Sequence, residues 1–452
     1  MDLLSLIPAF GGVSFTLLTF VVSLSVIVFV HEFGHYLVGR WSGIKAEVFS
    51  LGFGPVLLSR IDRSGTQWQF ALIPFGGYVK FLGDKGAASA VDDKQIKAMS
   101  VEEKRQTMHG APLWARTATV AAGPLFNFVL SILIFAGIAF WQGQARDPLT
   151  VGTLYPLPYE HGLKLNDVLL QIDGQDVPSL SDSEALSKFW QSLSDRNFYN
   201  YKVFRDELTL NVEGPNLRLA RVEQIIPRSA AAESRIQPGD VIFKINDVQI
   251  FKFEELKEYV EKSNGSPLDL SIWREGEIIS SRLVPKRVDE PLDKGGFQTV
   301  WRIGIVGGQF FFAPKVTTLE ARYALMFGAQ NTWRIIKGSI DGLYHIITGS
   351  ISSCNLSGVI GIAETSGQMA RQGVENFIWF IALLSAAVGI VNLFPVPVLD
   401  GGHLVFFAYE AIAGRPPASQ FLNALMLSGL VLVLSFMLFA LATDFAHKFG
   451  WC

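Results

Sequence analysis

The chain of 452 residues carries only two cysteines, Cys354 and Cys452. Neither belongs to a Cys-x-x-Cys pair, which excludes a thiolate-built metal site, and one disulfide could not staple a chain of this length. Charge is scarce as well: Asp, Glu, Lys and Arg make up 17% of the residues against 49% hydrophobic ones, with a formal net charge of −3. A near-neutral chain without a basic stripe offers a polyanion nothing to bind, so nucleic acid is excluded as a partner. Basic side chains are missing from Met1–Gly12, and no small-residue cleavage site precedes His31. The N-terminal apolar run therefore lacks the layout of a signal peptide and is expected to be retained.

What the chain has in quantity is apolar length. A spanning helix needs ~20 predominantly apolar residues. Val13–Val30, Thr117–Ala145, Phe377–Leu399 and Phe421–Thr443 meet that need. The predicted fold is a polytopic α-helical membrane protein with four spans, in contact with the lipid bilayer. Lys and Arg near span ends set orientation. The loop after the first span holds Arg40, Lys45, Arg60, Arg63, Lys80 and Arg116 among others. That places this loop in the cytoplasm, and both termini with the region between spans two and three outside.

The expected order is a first span with an ionisable cluster (1–40), a cytoplasmic β-hairpin and loop (41–116), and a second span (117–145). Two small α+β domains (150–221 and 222–286) follow, then a linker and interfacial helix (287–349). A loop and third span (350–403) and a fourth span (416–444) complete it. Alternation of polar and apolar residues from Gln67 to Leu72, a Pro-Phe-Gly-Gly turn and a second run from Tyr78 to Leu82 read as the membrane-associated hairpin. Its edge, at Gln69, Phe70, Ala71 and Leu72, could accept an unwound substrate segment by strand addition.

The outer region repeats itself. "LKLNDVLLQIDGQDV" (Leu163–Val177) matches "RIQPGDVIFKINDVQI" (Arg235–Ile250), with Asp167 falling on Asp240, 73 residues on. The second copy, with its Pro-Gly-Asp turn, the strand after it and the helical stretch Phe253–Lys262, resembles a PDZ domain, and the first resembles a diverged one. PDZ domains take peptides, often by their termini, as an added strand beside a helix. Both are expected outside the cytoplasm, where such peptides or other periplasmic ligands would be the partners. Beyond them, Trp333, Ile336, Ile340, Leu343 and Ile347 form one helical face interrupted by charge, as in a helix lying on a membrane surface.

The chemistry concentrates in "HEFGH" (His31–His35). Ionisable groups at membrane depth are costly and function-bearing by default. Residues i and i+4 share a helix face, so both imidazoles can reach one ion, with the Glu32 carboxylate beside them to act on a metal-activated water. A catalytic zinc takes a third protein ligand and keeps a position open. "NLFPVPVLDGGH" (Asn392–His403) supplies Asp400 at the inner end of the third span, after Pro395 and Pro397 break the helix and before Gly401 and Gly402 let the chain turn. His403 is a competing ligand beyond the diglycine.

With AAGPLFNF (Ala121–Phe128) in the second span, these motifs resemble the site-2 protease family of zinc intramembrane metalloproteases across nearly the whole chain. The likeness is to the bacterial branch that cuts a membrane-bound anti-sigma factor, after a first cut outside, in regulated intramembrane proteolysis of a stress response. The resemblance implies zinc on His31, His35 and Asp400, Glu32 as catalytic base, and Asn392 near the scissile peptide. Gly54 is implied to lie in a membrane-associated β loop, and Gly54 and Pro397 are counted with the substrate-contacting residues. The substrate implied is a single-span, anti-sigma-factor-like protein in the bacterial inner membrane, with the active site towards the cytoplasm. In one departure, Val359 stands where the family commonly has proline. Two other readings are a membrane-bound PDZ scaffold with an inert zinc site, and the same protease acting on signal-peptide remnants. A scaffold has no use for Glu32.

Overall fold

The computed structural model describes residues 12–84, 99–234, 236–292, 296–352 and 356–448. Cys354 and Cys452 lie outside the described residues. Two bodies result: Met1–Gly137 with Leu325–Gly349 and Ser353–Cys452, and Ile138–Ala324 with Ser350–Ser352.

Among the described residues, four helices are long and apolar enough to cross a membrane: Gly12–Trp41, Leu113–Gln142, Val374–Leu393 and Gln420–Ala446. Only 11% of the most apolar stretch of the fourth is buried within the protein. Leu427, Leu432 and Leu438 stand exposed along it. A contiguous apolar surface of this kind needs lipid around it, since water would penalise it. The third helix stops at Leu393, six residues short of the expected end, because Pro395 and Pro397 cannot continue it. Asp400 accordingly opens a separate helix, Asp400–Ala413.

Between the first two long helices lie two strands, Ala46–Ile61 and Gln67–Phe81, long enough to bend and pair twice. Phe49, Ser50 and Leu51 pair with Val79, Tyr78 and Gly77 on one side and with Trp68, Gln69 and Phe70 on the other. Arg60, Ser59 and Leu58 then take the far side of Trp68, Gln69 and Phe70. The expected hairpin is thus a sheet of four legs, in the order 77–81, 46–51, 67–71 and 56–61. Phe49 stacks on Trp68 at 4.3 Å, and Tyr36 of the first long helix meets both rings edge-on at 5.8 and 5.1 Å. Burial of these three aromatics seats the sheet on that helix.

The helix Val359–Arg371 packs beside the first long helix. The buried carboxylate of Asp444, in the fourth, accepts its first free amides, from Gly358 and Gly361. These amides have no intrahelical acceptor, so a carboxylate from a neighbouring helix supplies the cap. The helix Ala321–Ile347 carries the expected apolar residues Trp333, Ile340 and Ile347 exposed, while Thr332 on another side is buried and bonded to Ser131.

In the second body the repeat is a repeat in space. Two four-stranded sheets have the same order: Gln175–Asp176, Val168–Ile172, Phe198–Arg205 and Leu208–Pro215 in one, and Val248–Gln249, Val241–Ile245, Leu268–Arg274 and Glu277–Leu283 in the other. Buried Asp167 receives two hydrogen bonds from Arg205, both of 2.6 Å, and buried Asp240 receives two from Arg274, of 2.6 and 2.8 Å. Each copy is completed from the stretch expected to be linker. Val222–Ile225 pairs with Ile305–Gly307, and Val151–Leu154 pairs with Phe312–Pro314. The second copy therefore lies inside the first in chain order.

Candidate metal centre and active site

One helical turn separates His31 from His35, and both rings leave the same face of the first long helix, with centroids 4.8 Å apart. Asp400 meets them from the first turn of its own helix. Its Oδ2 lies 3.2 Å from His31 Nε2 and 3.5 Å from His35 Nε2, and the two Nε2 atoms are 3.2 Å apart. Donors held ~2.0–2.1 Å from a tetrahedral zinc stand ~3.3–3.4 Å from one another, so this triangle fits the ion. Asp400 Oδ2 is moreover buried with no hydrogen-bond donor, which a cation would relieve. His31, His35 and Asp400 form the one cluster of this kind among the described residues. His403 lies outside it, its ring edge-on to Phe406 at 6.1 Å.

The Asp400 helix is fixed at both ends. At its start, a side chain on Gly401 would put Cβ 2.2 Å from the Leu393 carbonyl oxygen, and one on Gly402 would put it 2.3 Å from that of Val396. The diglycine is thus not a turn but the close seat of this helix on the Phe394–Leu399 loop. At its end, Arg116 bonds both carboxylate oxygens of Glu410.

Part of the centre comes from the second long helix, whose stretch Thr117–Gln142 carries no titratable group. The Thr119 carbonyl accepts from His35 Nδ1 at 2.8 Å, and the Asn127 side chain meets His31 Nδ1 at 3.2 Å. Gly123 lies between them; a Cβ there would come within 2.3 Å of His35 Nε2. Gly123 and Asn127, four apart in "GPLFN", share one helix face, and that spacing was the available signal.

Glu32 follows His31 on the first long helix, and the Val79 backbone amide donates to its carboxylate from the sheet's 77–81 leg. Asn392 is half-buried in the last turn of the third long helix, with no hydrogen bond to the His31–His35–Asp400 cluster. Pro397 packs on the fourth, where a Cβ at Gly429 would meet its Cδ at 3.0 Å. Gly54 has a positive φ of 87° at the bend of the Ala46–Ile61 strand. Gln69 and Phe70 are paired on both sides, and Ala71 pairs with Val56, with Leu72 next in the same leg. Within the expected docking stretch Gln69–Leu72, Gln69 and Phe70 therefore lie in an interior leg, flanked by a strand on each side, and not at an edge.

A multi-pass membrane protein with a two-histidine, one-carboxylate centre and an adjacent glutamate has the layout of a zinc metallopeptidase. The sequence model described as Peptidase family M50 matches residues 19–436, and the chain belongs to that family. It is 36% identical to a protein of Rhizobium meliloti named as a zinc metalloprotease, over 97% of this chain and 98% of that one. It is 31% identical to Metalloprotease MmpA of Caulobacter vibrioides, over 93% of each, and 31% identical to Protease RseP of Yersinia pestis, over 96% and 99%. The chain is a zinc metalloprotease.

Proposed function

We propose that the protein cuts single-span membrane proteins within or near their transmembrane segment, with zinc held by His31, His35 and Asp400. The observation that carries this reading is the triangle of three donor atoms at 3.2, 3.2 and 3.5 Å, set on apolar helices beside Glu32. Zinc bound there would polarise water and the scissile carbonyl. Glu32 takes a proton from the attacking water as oxygen bonds to the carbonyl carbon. It returns that proton to the amide nitrogen as the carbon–nitrogen bond breaks. The Asn392 carboxamide is the donor we assign to the developing oxyanion.

A substrate helix hides every peptide group in its own hydrogen bonds, so it must unwind before attack. The unwound segment would pair with the 77–81 leg, the sheet edge nearest Glu32. The substrate carbonyl that takes the Val79 amide would also release Glu32 for proton transfer. We assign peptide termini or other periplasmic ligands to the PDZ-like copies, which would restrict access to the site. The setting we infer is the bacterial inner membrane, with both termini and the repeat outside and the metal towards the cytoplasm. The substrate inferred is an anti-sigma-factor-like protein in a stress response. Co-expression with candidate single-span substrates tests this. Glu32→Gln should retain about one zinc per chain and lose cleavage; full cleavage by that variant would overturn the mechanism.

A further inference from the structure

We propose that Asn127 is a positioning residue for the metal centre: its side-chain oxygen receives the Nδ1 proton of His31 and holds that imidazole in the tautomer that offers Nε2 to zinc. This rests on the ligand assignment made above.

The Asn127 carboxamide nitrogen lies 3.2 Å from His31 Nδ1, while the other end of the amide, Oδ1, is buried without a donor. Nitrogen and oxygen of an amide exchange places by a half-turn about its last bond, so the proton on the ring decides which faces it. A neutral imidazole carries one N–H. His31 turns Nε2 towards Asp400 Oδ2 and His35 Nε2, both lacking a free proton once a cation sits between them. With the Nε2 lone pair given to a metal, the proton belongs to Nδ1, and a buried N–H must find an acceptor. The half-turn supplies Asn127 Oδ1. Water cannot substitute, because Asn127 is fully buried and its own carbonyl is bonded to Ser385 Oγ at 2.9 Å.

His35 meets the same demand through the Thr119 carbonyl at 2.8 Å. One helix thus orients both imidazoles, through its backbone for His35 and through a side chain for His31. Only the second can be removed by substitution.

The test uses the purified full chain, with zinc affinity read by chelator competition and ligand geometry by the visible spectrum of the cobalt-substituted protein. Asn127→Leu keeps the volume and removes the acceptor; it should weaken zinc by ~10–100-fold and shift the cobalt spectrum. Asn127→Asp keeps an acceptor and should stay close to native in both. Ser131→Ala breaks the buried bond to Thr332 one turn further along the same helix and should leave zinc unchanged. His31→Ala should abolish tight binding. Native affinity in His31→Ala would sink the ligand assignment itself. Loss in His31→Ala with native affinity in Asn127→Leu would overturn only the role of Asn127. So would an Asn127→Asp variant that loses zinc as badly as Asn127→Leu.

Discussion

Arg116 grips the carboxylate of Glu410 through hydrogen bonds of 2.7 and 3.0 Å, joining the start of the second long helix to the end of the helix that Asp400 opens. The guanidinium also lies over the Phe407 ring, 5.3 Å from its centroid. Both charged side chains are mostly buried, at 15% and 17% exposure, so water screens the pair only in part. Glu410→Gln should lower unfolding stability by on the order of 2 kcal/mol and should also weaken zinc, because the third ligand rides on the same helix. Thermal unfolding in detergent and chelator competition read the two effects. A stability loss with native zinc affinity would show that the Asp400 turn is fixed by its diglycine seat alone.

Asp84 ends the sheet. Its Oδ2 accepts the Phe81 amide at 3.1 Å, and burial pushes its carboxyl up to about 7. Lys80, Glu47 and the half-exposed His109, 3.8 Å away, are the ionisable groups around it. An unfolded aspartate ionises near ~3.9. Between there and about 7 the folded protein binds the extra proton, so its stability falls as pH rises through that window, and the full cost stands above it. Asp84→Asn retains an acceptor for Phe81 and removes the ionisation. Its advantage in unfolding temperature over the native chain should be larger at pH 8 than at pH 5. Equal advantages at the two pH values would refute the buried-acid reading.

Residues whose chemistry is costly at membrane depth are the most legible in the sequence. Imidazoles and a carboxylate at the ends of uncharged runs are rare enough that His31, His35 and Asp400 stood out without tertiary information, and the structure brings them together. The repeat was legible because Asp167 and Asp240 keep their register, yet their partners Arg205 and Arg274 lie 38 and 34 residues further on, where nothing local marks them. Pairing across distance was the common blind spot. Period two says that Gln67–Leu72 is a strand, but it cannot say that this strand will be flanked twice. The three-residue closing strands Ile305–Gly307 and Phe312–Pro314 are too short to show a period at all.

The four-leg sheet makes a positional prediction for substrate pairing. The Val79 and Phe81 amides point away from the 46–51 leg, towards Glu32 and Asp84, while the Leu82 amide points back to the Lys45 carbonyl. Proline removes one such donor. Val79→Pro should therefore keep zinc and lose cleavage of membrane substrates, and Tyr78→Pro, whose amide faces inward, should disturb the sheet. Proline at Gln69 or Phe70 should break an interior ladder, on one flank at each position, and lower zinc content and cleavage together. Native cleavage by Val79→Pro with zinc in place would rule out strand addition at this edge.

The chain order of the repeat also dictates how it can be removed. Gln144 pairs with Thr317 and Ala145 with Val316, so one two-stranded ladder encloses both copies of the repeat, which can be excised between those residues with a short linker. Val222 and Gly307 are likewise paired, so the second copy can be cut out alone. A deletion that stopped at the end of the second sheet would instead leave Ile305–Gly307 and Phe312–Pro314 without partners and their apolar side chains exposed. If the two copies of the repeat restrict access, both excisions should retain native zinc, and the full excision should cleave substrates that still carry bulky outer domains. The single excision keeps Tyr201, Phe311 and Phe312 of the first copy's core but removes Val241 and Trp273, which pack with them, and should show an intermediate effect. Zinc analysis beside cleavage of trimmed and untrimmed substrates decides it: a fully excised enzyme that holds zinc, cuts trimmed substrate and still rejects the untrimmed one would remove the repeat from substrate selection.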